Sequence, residues 1–466
     1  MEYPSKTQTF LSSLSTLHPD IVIMTDHEKC VDYQRDESAC TPLLSCPVVF
    51  PKNTQDIQVI VKLAQKLKLP IVPRGAGSGL NGACVPITES IIICFEHMNR
   101  LLELDEENFT ATVEPGMITG DIRKAVEPKG LFYPPVPASV DYCSIGGNIA
   151  TNAGGLCAVK YGVTREYVMG LEVVLPNGEV IQTAGPWMKC STGYDLTQLF
   201  TGSEGTLGIV SKIILKLIPL PQHRQTLLIA FDSLDAAAIA VNTLLKQGLS
   251  IPTMELIPKE AVDCVKQTYQ YTYPFEQAAA SLLIELDAMG EDQIEQQTMK
   301  LYESIIDLCA DEPLMAQNEQ QREDLWLFRK SVRNSIVAQG EYVEADSVVA
   351  RSKIKDLLQA AREVSKKHTT PCISYGHAGD GNLHTYFLKQ NTPEEEWNAK
   401  KELILTDFFT ATHKLGGTLS GEHGIGMDKV NYMNITNSQA HLDTMRSIKK
   451  ALDPHNIMNP GKVLKV

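Results

Sequence analysis

The loop Gly77-Ser78-Gly79-Leu80-Asn81-Gly82 constrains this fold more than any other stretch, because it satisfies G-x-G-x-x-G directly after the strand-like run Pro70-Ile71-Val72-Pro73. Glu96 lies near the spacing expected of a ribose-binding acid, so a dinucleotide-binding βαβ unit has to be considered. In such a unit the glycines open a helix whose N-terminus faces the pyrophosphate. Here Ala83 to Ser90 is too short for a crossover helix, contains Pro86, and leads into the apolar run Ile91 to Phe95. The loop therefore bridges two strands. It is either a turn without a ligand or an anion nest of successive backbone N–H groups, for which Arg74-Gly75-Ala76-Gly77-Ser78-Gly79 supplies the donors. Taken alone, the loop does not separate these readings.

Two more segments have the same character. Cys143-Ser144-Ile145-Gly146-Gly147-Asn148 continues to Thr151-Asn152-Ala153-Gly154-Gly155, and Thr201-Gly202-Ser203-Glu204-Gly205-Thr206-Leu207-Gly208 follows later. Glycine at this density costs conformational entropy on folding, and a plain core helix would avoid it. Backbone lying against a flat polar ligand explains it better.

Around these segments the first half alternates short strands with amphipathic helices. Pro47 to Phe50 reads as a strand, and Asn53 or Thr54 caps a helix carrying Ile57, Ile60, Val61, Ala64 and Leu67 on one face. Further strands are expected at Ala111–Val113, Val173–Leu175 and Val210–Leu217, with a helix near Asp121–Val126. Pro219-Leu220-Pro221 is a natural boundary. Beyond it, Leu227–Asp232 and Leu282–Asp287 each precede an amphipathic helix, which suggests a ferredoxin-like α+β sandwich. A long helix from about Glu395 to Leu415 stops at Gly416-Gly417.

A chain of 466 residues exceeds one compact core, so several domains are expected. The formal net charge of −14 argues against a nucleic-acid partner. The start lacks the cationic and apolar regions of a signal peptide, and no apolar run reaches the length of a membrane span. The 11 cysteines are scattered without a CxxC pair, which disfavours a zinc-ribbon or iron–sulfur site and fits a reducing cytosol.

His377-Ala378-Gly379-Asp380-Gly381-Asn382-Leu383-His384 reads as a strand end, a turn and a returning strand, so that both imidazoles could converge on one ion. Gly421-Glu422-His423-Gly424 adds a carboxylate beside a further histidine. Two histidines and one carboxylate leave coordination positions open, as a catalytic zinc site or an iron(II) facial triad does. The bland reading is a set of hydrogen-bonded structural histidines.

The three glycine segments resemble the FAD-binding fold of the vanillyl-alcohol oxidase and p-cresol methylhydroxylase superfamily over about residues 42–221. The resemblance implies that Arg74, Gly75, Ala76, Gly77, Ser78, Gly79 and Leu80 cradle the diphosphate. It also implies that Pro137, Ser139, Ser144, Gly147, Asn148 and Asn152 flank the ribityl chain and flavin, that Ile209 lies near the adenine, and that Glu204 belongs to the cofactor site. Some members attach FAD through a histidine where this chain has Ser78, so non-covalent FAD is expected. Relatives often carry Asp where Val136 stands here.

With Asp453-Pro454 and Met458-Asn459-Pro460-Gly461-Lys462, the His/Glu motifs resemble the family of D-lactate dehydrogenases, glycolate oxidase flavoprotein subunits and D-2-hydroxyglutarate dehydrogenases, beyond roughly the first forty residues. The resemblance implies an α+β chain of four parts: an N-terminal segment (1–41), a two-subdomain FAD-binding domain (42–221), a ferredoxin-like substrate or cap domain (222–419), and a C-terminal segment returning to the FAD domain (420–466). His377, His384 and Glu422 are then metal ligands, with zinc favoured and iron or manganese as alternatives. His423 is the catalytic base and Asn459 returns to the flavin. Arg329 becomes the clamp for a substrate carboxylate; without the resemblance it reads as a solvated arginine on a helix face. Arg333 and Asn382 join it in the substrate site.

The activity implied is oxidation of a small D-2-hydroxy acid, D-lactate or glycolate favoured, to the 2-oxo acid. D-2-hydroxyglutarate is an alternative substrate, although relatives that use it favour Lys near Glu344. A flavin-binding electron-transfer subunit without its own substrate is the alternative of another class. The sequence does not fix the electron acceptor: a quinone, an electron-transfer flavoprotein, a separate iron–sulfur subunit or oxygen is compatible. A cytoplasmic protein is expected, peripheral at the membrane where its acceptor requires it, and a homodimer is compatible.

Overall fold

The helix expected after Asn53 runs over Thr54–Leu67, and the Asn53 side chain accepts the Asp56 N–H at 2.9 Å. A cap of this kind contributes about 1 kcal/mol. Ile57, Ile60, Val61 and Ala64 form its buried stripe and share one apolar cluster with Phe10 and Leu14 of the helix Ser5–Leu17. The computed structural model describes residues 3–465, which fall in two units. One consists of Met1–Gly154, Val163–Leu220 and Glu422–Val466; the other of Gly155–Gly162 and Pro221–Gly421.

The first unit holds a four-stranded sheet in the order Val22–Met24, Val48–Phe50, Ile91–Cys94, Ile71–Arg74. The last three strands are parallel and the first is antiparallel. Parallel strands covered on both faces read as unbroken apolar runs, and Ile91–Cys94 is buried at every position. A second sheet of five strands is antiparallel, in the order Leu101–Asp105, Thr110–Val113, Ile209–Lys216, Val168–Val174, Val180–Gln182.

The C-terminal tail completes this unit. Ile71 donates its N–H to Ile457 at 2.7 Å and accepts the Asn459 N–H at 2.8 Å. Lys449, on the helix Gln439–Leu452, fixes the tail: its buried ammonium donates to Asp453 at 2.5 Å and to the carbonyls of Thr206 and Met458 at 2.7 and 2.8 Å. Removing one partner of a buried ion pair leaves the other unpaired, at a cost of about 3–5 kcal/mol. Lys449→Met should therefore lower the unfolding free energy in urea by about that amount, and Lys449→Met/Asp453→Leu should recover most of it. An unchanged midpoint in the single variant would rule out this lock.

The second unit is built on a seven-stranded antiparallel sheet, ordered Leu314–Met315, His223–Phe231, Ala280–Ala288, Thr253–Pro258, Cys372–His377, Asn382–Leu388, Tyr342–Val348. In chain order its first four members stand 4-1-3-2, the ferredoxin-like arrangement, with helices Leu234–Lys246 and Glu291–Ile305 following the two strands read as a repeat. The other three strands extend the sheet at one edge, and the long helix closes over Glu394–Lys414. Among the described residues no helix is long and apolar enough to cross a membrane.

Candidate functional site

In the first unit the glycine segments are drawn together by close backbone approach. Residues 75–90 contain no helix. A side chain on Gly75 would fall on Ser144 Oγ, the same hydroxyl that accepts the Ala76 N–H at 3.2 Å and the Gly147 N–H at 3.3 Å. Ser144 caps a helix, Ile145–Thr151, where the sequence argued against one. The helix tolerates its glycines because a Cβ on Gly146 would lie 2.7 Å from the Pro115 carbonyl oxygen. Part of the glycine content is thus spent on protein packing rather than on a ligand.

The loop itself stays accessible: Ala76 is exposed, and Gly75, Gly77, Ser78, Gly79 and Leu80 are half-buried. Other residues expected at the cofactor have structural tasks. Arg74 turns its guanidinium back to the Arg35 carbonyl and to Cys84 Sγ at 3.4 Å, so it braces the loop from behind. Gly77, at φ +74°, leaves room for that guanidinium. Asn148 donates to Thr119 Oγ1 at 2.7 Å, and Asn152 ends the helix at φ 53° while accepting the Arg165 N–H at 2.9 Å. Pro137 is buried and Ser139 half-buried beside this helix start, and the Ile209 side chain lies inside the apolar core.

Glu204 is 4 % exposed and accepts the N–H groups of Ile425 and Gly426 at 2.7 and 2.8 Å, with Asn81 donating at 3.2 Å. Burial pushes its carboxyl up to about 7, and the two backbone donors oppose the rise. Asn459 donates to the carbonyls of Ala83 and Glu204 at 2.9 and 2.7 Å. Its Oδ1 and the Lys429 Nζ are buried without a hydrogen-bond partner among the described residues. Buried polar atoms are seldom left so, and both fit a polar cofactor beside the loop. Glu422 and His423 also belong to this unit; His423 Nε2 lies 3.9 Å from Glu422 Oε1, with both side chains mostly buried. A Cβ on Gly154 would stand 2.7 Å from Glu422 Oε2, so glycine there admits the carboxylate.

In the second unit one face of the sheet gathers the polar groups. His377 pairs with Asn382 and Glu255, Tyr375 with His384, and Asp346 with His384. Residues directly opposite, and those two apart on a strand, share a face. His377 and His384 therefore point the same way, with ring centroids 5.3 Å apart and planes at 86°. The turn between them, 378–381, is the one read from the sequence.

Two carboxylates that sequence reasoning missed hold this face. Glu255 is fully buried; its Oε1 stands 2.6 Å from His377 Nδ1, and its Oε2 accepts Arg329 Nε at 2.9 Å together with Arg329 Nη2. Burial alone would raise this carboxyl, but His377 and Arg329 outweigh it and hold it down at about 2. Asp346 is also fully buried: it accepts Ser420 Oγ at 2.7 Å and the Gly421 N–H at 3.0 Å, and lies 3.6 Å from His384 Nδ1. Glu422 is the next residue, one peptide bond beyond Gly421. A buried carboxylate survives only when paired, so a lone acid inside an apolar strand such as Thr253–Pro258 was the available signal.

Two expected substrate residues have buried protein partners. Arg329 is buried rather than solvated on a helix face: Glu255 engages its Nε and Nη2, and its guanidinium lies 4.6 Å over the Tyr375 ring. Asn382 gives its amide N–H groups to Asp346 at 2.8 Å and to the Ser347 carbonyl at 3.2 Å, so it braces the carboxylate that holds Gly421. Arg333, one helical turn after Arg329 on the helix Glu319–Val337, is half-buried.

Residues 220–463 match the model of the FAD linked oxidases, C-terminal domain, and residues 47–184 that of the FAD binding domain. The glycolate oxidase subunit GlcD of Bacillus subtilis (strain 168) is 40 % identical over 421 residues, covering 89 % of this chain and 88 % of that protein. The D-lactate dehydrogenase of Anaerostipes hadrus is 33 % identical over 469 residues, covering 99 % and 98 %. The crystal structure of p-cresol methylhydroxylase with substrate bound shares the fold, with a TM-score of 0.79 over 98 % of this chain and 96 % of that one at 18 % identity. A family match over more than half of the chain, an FAD-binding domain and relatives alike along nearly their whole length agree, and the chain belongs to the FAD-linked oxidases, as an FAD-dependent oxidoreductase of mixed α and β structure.

Proposed function

We propose that this protein oxidises a small D-2-hydroxy acid, D-lactate or glycolate, to the 2-oxo acid, with FAD held non-covalently and a divalent metal held by His377, His384 and Glu422. The observation that carries the reading is the pair of imidazoles on one sheet face, with His377 Nδ1 engaged by a buried carboxylate, as in a carboxylate–histidine–metal arrangement. The printed activities of the glycolate oxidase subunit and the D-lactate dehydrogenase support the substrate class. The donor set of imidazoles and one carboxylate fits zinc, with iron or manganese as alternatives.

A divalent metal, when bound, lowers the pKa of a coordinated hydroxyl, and FAD, when bound, accepts the two electrons and the hydrogen from Cα. His423 takes the hydroxyl proton at its imidazole as general base. With Arg329 engaged by Glu255, Arg333 is the arginine proposed to meet the substrate carboxylate, for which a guanidinium fork is suited. The loop 75–80 and Asn459 hold the cofactor, and Lys429 supplies positive charge beside it.

D-2-hydroxyglutarate is disfavoured by Glu344, a half-buried carboxylate that accepts the Tyr386 hydroxyl at 2.8 Å on the same sheet face as His384. A second substrate carboxylate near it meets like charge. Electrons then leave for a quinone, an electron-transfer flavoprotein or an iron–sulfur subunit; the word "subunit" in the Bacillus relative's name supports a partner. A cytoplasmic setting agrees with 11 free cysteines.

The test is anaerobic bleaching of the flavin by D-lactate, glycolate and D-2-hydroxyglutarate in turn. Rapid bleaching by one of the first two, with at least tenfold slower bleaching by the third, is expected. Bleaching by none would favour an electron-transfer subunit, and fastest bleaching by D-2-hydroxyglutarate would overturn the role given to Glu344.

A further inference from the structure

Glu255 sits in the strand Thr253–Pro258, hydrogen-bonded on both sides, opposite Leu283 on one neighbour and His377 on the other. It is wholly shielded from solvent. Placing a carboxylate there costs several kcal/mol unless its lone pairs are met by donors. A single arginine fork could meet both oxygens. Instead the two oxygens are divided: Oε2 takes both Arg329 donors, and Oε1 faces His377 Nδ1 at 2.6 Å. Arg329 is held from its other side by the Tyr375 ring, so the carboxylate is fixed before it reaches the imidazole.

That arrangement has a chemical consequence for His377. A carboxylate accepts and cannot donate, so Nδ1 must carry the hydrogen in this bond. The second nitrogen of a neutral ring then keeps its lone pair. The ring plane is fixed as well, perpendicular to His384 at a centroid separation of 5.3 Å.

We propose that Glu255 is a positioning residue that locks His377 as its Nδ1–H tautomer, so that Nε2 is the nitrogen presented to a divalent cation, and that Arg329 serves to orient Glu255. The inference rests on the reading of His377 as a metal ligand. It predicts that Arg329 acts through Glu255 rather than on the substrate. Loss of a carboxylate behind a ligating histidine costs about 10–100-fold in metal affinity.

The experiment titrates the full-length, FAD-loaded, metal-free protein with cobalt(II), followed by its visible spectrum and by calorimetry, for the wild type, Glu255→Gln, Glu255→Asp, Arg329→Leu and His384→Ala. Glu255→Gln should bind cobalt about 10–100-fold more weakly, with Glu255→Asp recovering part of the loss. Arg329→Leu should weaken it less, and all should retain FAD. Affinity in Glu255→Gln within twofold of the wild type would overturn the proposal. Absence of any His384-dependent cobalt site in the wild type would overturn the metal reading alone. The tautomer is then decided separately by the nitrogen-15 signals of the His377 ring in the metal-free wild type, assigned by their loss in His377→Gln. A protonated Nδ1 and unprotonated Nε2 support the lock, whereas a protonated Nε2 overturns it. The same spectrum decides if Glu255→Gln does not fold.

Discussion

Reduction of the flavin by substrate is expected to slow by about 10²- to 10⁴-fold in His423→Ala, with FAD content and Tm unchanged. The size is that of a lost general base. The selectivity follows from the position of His423, which follows Glu422 in a glycine-flanked bend, with its ring nitrogen 3.9 Å from that carboxylate. Anaerobic stopped-flow absorbance with D-lactate or glycolate measures the rate, and extraction of the flavin measures occupancy. Reduction at the wild-type rate would remove His423 from the reaction.

Gly75→Val should abolish cofactor retention. The new Cβ would occupy the position of Ser144 Oγ, the hydroxyl joining Ala76 to Gly147, and the nearest backbone atom, Gly147 N, stands 3.5 Å away. Neither the loop nor the helix Ile145–Thr151 can yield without breaking that bridge. Overpacking of this kind costs about 1–3 kcal/mol in stability. The larger effect is on FAD, whose content should fall at least tenfold in the purified protein. Gly130→Val is the control: nothing lies within 4 Å of a Cβ there, although the φ of +70° makes its backbone strained. Its FAD content should stay near that of the wild type. A Gly75→Val protein that keeps stoichiometric flavin would contradict the close approach.

What was legible in the sequence was local. The strands and the capped helix Thr54–Leu67 follow from apolar periodicity, and the absence of a helix after Gly82 follows from Pro86 and the short distance to Ile91. The turn between His377 and His384 is also local, four residues of glycine-rich chain between two apolar strands. Glu255 was not legible, since its partner His377 lies 122 positions away and its carboxylate is explained only once the sheet brings them together. Asp346 was hidden in the same way from Ser420 and Gly421, more than seventy residues on. Arg329 and Arg74 show the related difficulty that a residue type suited to an anion is equally suited to a buried carboxylate or a carbonyl. Their partners, Glu255 and the Arg35 carbonyl, decide between those uses. The helix at Ile145–Thr151 was missed because propensity counts each glycine against a helix, while Gly146 is required there by the nearby Pro115 carbonyl.

The central claim is that electrons reach the flavin from a 2-hydroxy acid only when a metal is held by His377, His384 and Glu422. Its most direct test is to strip the FAD-loaded protein of metal, verify the removal by elemental analysis, and add D-lactate or glycolate without oxygen. The account predicts an oxidised spectrum that persists until one equivalent of zinc, iron(II) or manganese is supplied, after which the flavin bleaches; the same addition to His384→Ala leaves it yellow. Full-rate bleaching in verified metal-free protein would contradict the account.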